Sequence, residues 1–241
     1  MIVTTDSMQV RAECVLSLIK RCTALRGSCR YSDQDARALA LNNVIMTAEG
    51  AVMTLNLLHV WQTGGTELGR QITTLVGISP TTRKQGDLDR GCRSMSYNAR
   101  FALLLICQFQ IENCLRNIGR ELGLEPLIGS GFYKTAKAVV TSRLGLSADR
   151  LDTLMVAAMI RNTLHSNGIH NSRFGDKTTV IDGVAYEFLV GKKFQCATWG
   201  HVAHALEGSI GVLDEVFNHP DVIGIPDPMF DQYVWETATA P

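Results

Sequence analysis

The stretch from Tyr97 to Gly123, YNARFALLLICQFQIENCLRNIGRELG, constrains the fold more than any other part of the chain. Phe101, Leu105, Gln108, Glu112, Leu115, Ile118 and Leu122 recur along one helical stripe. A helix of that length hides an apolar stripe only by laying it against other helices. The rest of the sequence supplies them. MQVRAECVLSLIKRCTALRGSC repeats Val15, Leu18, Cys22 and Leu25 at helical spacing, with Asp6 or Ser7 as its cap and Gly27 as its stop. SDQDARALALNNVIMTAEGAVMTLNLLHVWQTGG opens on a Ser/Asp cap, is apolar nearly all round, and ends at Gly64-Gly65. Such a segment is expected at the centre of a bundle.

Shorter elements follow. Leu68, Ile72, Leu75 and Val76 fit a short helix, and SPTTRKQGDLDRG reads as a polar surface loop. GFYKTAKAVVTSRLG reads as a short helix. SADRLDTLMVAAMIRNTLHSNG reads as a longer one, capped by Ser147 and closed at Asn167-Gly168. KTTVIDGVAYEFLVG alternates around Asp182-Gly183, which predicts a tight hairpin with Val184, Tyr186, Phe188 and Val190 on one face. A final helix starting after Thr198 turns Val202, Leu206, Ile210, Leu213 and Phe217 inward. The tail from Pro220 is punctuated by prolines and reads as irregular. The expectation is an all-α helical bundle with a small β-hairpin near residues 178–190, before the last helix. The polar loop suggests a division into an N-terminal helical layer, 1–94, and a bundle domain, 95–241.

Composition narrows function. Hydrophobic residues make up 46% of 241, enough for a sizeable core. Lys+Arg and Asp+Glu both number 23, so a general nucleic-acid coat is excluded and any contact with nucleic acid is local. The N-terminal residues carry no basic or apolar run of a signal peptide. The longest apolar tract is interrupted by Glu49, Asn56 and His59, which argues against a membrane span. The seven cysteines are odd in number and form no C-x-x-C pair, so a reduced, cytoplasmic chain with no structural metal is expected.

Two clusters carry chemistry. MIRNTLHSNGIHNSR gathers Arg161, Asn162 and His165 at the end of a mostly apolar helix. Arg161 and His165 are four apart and lie on nearly one line of it. The plain reading is a pair of basic side chains beside a helix C-terminus. In QIENCLRN, Glu112 and Arg116 are also four apart, which by itself is an ordinary intrahelical ion pair. With Glu112 placed on the buried stripe, a second pairing opens, between Glu112 and Arg161 across two neighbouring helices. Elsewhere, His201 and His204 are three apart but lack a third metal ligand. RKQGDLDRGCR is basic and acidic together, as a solvated loop is, and Arg83, Lys84, Arg90 and Arg93 are the residues in it that could meet RNA.

A helix with Glu-x-x-x-Arg, followed by a helix ending in Arg-Asn…His and a turn, resembles the HEPN superfamily. The resemblance covers about Tyr97 to Phe217. It implies a dimerising helical bundle, often a ribonuclease of toxin–antitoxin, CRISPR-associated or abortive-infection systems that needs neither metal nor cofactor. Carried onto this sequence, it implies Arg161, Asn162 and His165 as catalytic residues and Glu112 and Arg116 as supporting ones. RNA would be the substrate, and a second copy of the chain and a cognate antitoxin or defence protein the partners, with no membrane. The family's motif leaves four to six residues between Arg and His. Here three precede His165 and eight precede the alternative, His170, and Ser166 stands where the shortest motif has its His. A HEPN-like module that binds a partner protein or a nucleotide without catalysis is the other reading the resemblance allows.

Overall fold

The computed structural model describes residues 7–63, 71, 74, 85–124, 130–172 and 175–231. It is an all-α bundle with a two-stranded hairpin. In chain order the elements are α1 (Met8–Ser28), α2 (Ala36–Gln62), α3 (Gln85–Glu121), α4 (Phe132–Ala136), α5 (Ala148–His165), β1 (Lys177–Ile181), β2 (Val184–Phe188), α6 (Trp199–Phe217) and α7 (Pro220–Ile223). α4 runs on as a π-helix, Lys137–Arg143. The expected helix over 68–76 lies outside the described residues, apart from Gln71 and Thr74, which are helical.

Helix starts follow local chemistry. Ser7 caps α1 by accepting from the Val10 amide at 3.2 Å, and Thr198 caps α6 by accepting from the His201 amide at 3.3 Å. Asp35 caps α2, accepting from the Arg37 amide at 2.8 Å. α1 packs on α2, α2 on α3, and both α1 and α5 on α6. One core joins Leu18 of α1, Leu41 of α2, Ile111 of α3, Ile160 of α5, Phe188 of β2 and Leu206 of α6.

Four expectations change in detail. The polar loop SPTTRKQGDLDRG is helical from Gln85, so the expected division at residue 94 falls inside the unbroken α3. α2 is not enclosed all round: Met46, Met53 and Leu57 are exposed, and among the described elements α1 and α3 are the ones that pack on it closely. It is the one described helix long and apolar enough to cross a membrane. On α3, the buried face runs through Leu104, Cys107, Ile111, Cys114 and Ile118, rotated from the expected stripe, so Leu105 is exposed and Glu112 sits on the flank. Val190 leaves the hairpin's inner face, since β2 stops at Phe188.

A buried charged knot holds the tail. Arg37 and Asp35 are both fully buried and paired at 2.6 Å. The Arg37 guanidinium also donates to the carbonyls of Val222 at 2.9 Å and Pro226 at 3.3 Å. Asp35 accepts from the Met229 amide at 2.7 Å. The guanidinium lies 3.5 Å from the centre of the Tyr31 ring, whose hydroxyl donates to the Phe217 carbonyl at 2.8 Å.

Candidate functional site at the end of α5

α5 is buried over most of its circumference until its last turn. Leu151, Leu154, Val156, Ala157, Ala158 and Ile160 are buried, while Asn162 and His165 are exposed and Arg161 is half-buried. The change has a local cause. The helix ends in a Schellman arrangement, with Ser166 as C-cap and Asn167 and Gly168 at φ 56° and 79°. The Gly168 amide donates to the Thr163 carbonyl at 2.9 Å. The chain then crosses to residues 189–194: the His170 amide donates to the Lys192 carbonyl at 3.1 Å, and Phe194 to Gly168 at 2.8 Å. This fold-back fixes where the helix stops and leaves its final polar turn at the surface.

There the Arg161 guanidinium donates through Nε and Nη2 to Asn162 Oδ1, at 3.2 and 3.1 Å. No carboxylate among the described residues reaches it. Nη1 of Arg161 and the amide nitrogen of Asn162 are left as donors toward solvent. One turn on, the His165 ring stands edge-on against Phe101 of α3, with centroids 5.2 Å apart. Phe101 was read from the sequence only as an apolar stripe residue. Nothing local to either helix shows that it steadies this imidazole.

The other expected participants are elsewhere. Glu112 accepts from Arg116 Nη2 at 2.5 Å, and Arg116 also donates to the Ser130 carbonyl at 2.7 Å. The plain intrahelical pairing therefore holds, and the pairing of Glu112 with Arg161 does not form. On the flank of α3 a neighbour on its own helix satisfies Glu112, and Arg116 ties that helix to the start of α4. His170 is buried, with Nδ1 3.2 Å from Thr163 Oγ1 and its ring against Phe188. Burial holds its pKa below the ordinary value, against the opposing pull of Asp176. It braces the fold-back and does not face solvent with Arg161. Arg83 and Lys84 lie outside the described residues, while Arg90 and Arg93 stand on α3.

The two histidines of HVAH are held separately. His204 Nδ1 is 2.9 Å from the Tyr186 hydroxyl, and His201 Nδ1 is 2.6 Å from Thr198 Oγ1. No group of three metal-type side chains gathers among the described residues. Compared with known proteins, the chain matches no family model, no curated sequence and no solved structure.

Proposed function

We propose that the chain is a metal-independent endoribonuclease of HEPN-like type, acting in the cytoplasm within a toxin–antitoxin or defence system. The observation that carries this reading is the state of Arg161: a guanidinium at the surface, held by an amide oxygen and not by a carboxylate, one helical turn from an exposed imidazole. An arginine already neutralised by a carboxylate is a poor phosphate ligand, and this one is not. Arg161 Nη1 and the Asn162 amide take the non-bridging oxygens of a phosphodiester. The His165 imidazole removes the proton of the RNA 2′-hydroxyl or returns one to the leaving 5′-oxygen. The oxygen that loses its proton attacks the adjacent phosphorus, the bond to the 5′-oxygen breaks, and a 2′,3′-cyclic phosphate forms. With His170 buried, each chain brings one candidate acid/base, His165. A homodimer that sets two helix ends face to face supplies both.

The test is cleavage of single-stranded RNA in EDTA by the wild type beside Arg161→Ala and His165→Ala. Loss of about a hundredfold or more in each variant is expected for a removed charge-stabilising or acid–base group. Equal cleavage by all three, or none by the wild type, defeats the reading. The burial of His170 favours a second reading, a HEPN-like module that binds a partner protein or a nucleotide. In that case Arg161→Ala weakens binding and no RNA is cut.

A further inference from the structure

A polar cleft of about 660 Å³ lies along β1, away from the end of α5. Residues Thr178 to Asp182 of β1 line it and no residue of β2 does. The two-residue turn Asp182-Gly183 has φ 46° and 80°, the type I′ geometry, so Ile181 and Val184 form a mutually hydrogen-bonded pair. Counting back along the register, Thr179 and Lys177 also bond to β2, whereas the main-chain groups of Thr178 and Val180 point away from it. No hydrogen bond meets those groups. An open strand edge thus faces the cleft.

Two further features suit an incoming strand. Thr179 is 7% exposed and its Oγ1 has no hydrogen-bond partner. The charges also divide. Asp152 is paired with Lys177 and Glu215 with Arg150, while two carboxylates, Asp149 and Asp182, and one guanidinium, Arg21, line the cleft outside any ion pair, an excess of one negative charge.

We propose that the free edge of β1 docks an extended segment of a partner protein, which adds as a third strand and turns a basic side chain toward Asp149 and Asp182. Pairing β1 with β1 of a second copy brings Lys177 as the basic residue of that strand, and Asp152 already holds it.

The test uses a fluorescent, end-blocked hexapeptide, Thr-Lys-Val-Lys-Val-Thr, titrated against the full chain by anisotropy. Its controls are the same peptide with alternate amides N-methylated and with both lysines replaced by glutamate. Val180→Pro removes an edge donor without touching the bonds to β2, and Asp149→Asn with Asp182→Asn removes the unpaired charge. Binding of the lysine peptide is expected. Each control and each variant should weaken it by about tenfold, the effect of one or two lost hydrogen bonds, while Arg161→Ala leaves it unchanged. No binding by the folded wild type overturns the proposal, as does equal binding of the N-methylated peptide. Slow hydrogen exchange at the Thr178 and Val180 amides of the free protein also overturns it. A dimer lost on Val180→Pro assigns the edge to a second copy and does the same.

Discussion

Arg37 is fully buried and is the cation of the knot that holds the tail. Removing it leaves the buried Asp35 carboxylate with main-chain amides and no cation, and takes a donor from each of the carbonyls of Val222 and Pro226. Breaking a buried pair in this way costs about 3–5 kcal/mol. Arg37→Ala should therefore lower the unfolding free energy in urea by about that much, and a loss under about 1 kcal/mol contradicts the role given to it. The sequence shows a Ser/Asp cap before this helix but not this knot, because the carbonyls that complete it return from nearly two hundred residues away. Glu112 shows the converse. Spacing alone names its true partner, Arg116. The pairing with Arg161 depended on phasing a long helix from its apolar residues. A small error in phase moves a side chain from the buried face to its flank.

At the scale of elements, the turn after α5 does two jobs. It exposes Arg161, Asn162 and His165, and through His170 it clamps the helix end onto β2 and the 189–194 segment. Burial lowers the pKa of His170 from the ordinary 6.5, and His201 is lowered too, by burial and then by His204. The unfolded chain therefore binds protons that the fold refuses. Stability from these groups is complete above about pH 6.5 and is lost as pH falls through their folded values. Unfolding free energy measured between pH 8 and 5 should be level at the upper end and decline below about 6.5, with a shallower decline in His170→Gln. A rise on acidification, or an unchanged slope in the variant, contradicts this. Much of the element pattern was legible: the caps at Ser7 and Thr198, the stop at Asn167-Gly168 and the turn at Asp182-Gly183 are signals carried by single residues. The helical start at Gln85 was not, because charged and polar residues favour a loop and an exposed helix surface alike.

At the scale of the molecule, helical periodicity was enough to give the bundle, and alternation around Asp182-Gly183 to give its hairpin. It was not enough to say how helices share a core. α1 and α2 are joined to the same core as α5 and α6, although a polar stretch separates them in sequence. Among the described residues, the candidate site meets another helix where α3 brings Phe101 against His165. The remainder is local to the last turn of α5, which is why Arg161, Asn162 and His165 were visible in sequence and Phe101 was not. The proposed chemistry leaves its own mark on the product. The decisive measurement is the mass of the RNA ends after cleavage in EDTA. A 2′,3′-cyclic phosphate on the upstream fragment and a 5′-hydroxyl on the downstream one is the expected result. Ends bearing a 3′-hydroxyl and a 5′-phosphate would contradict attack by the 2′-oxygen, and with it the role assigned to Arg161 and His165.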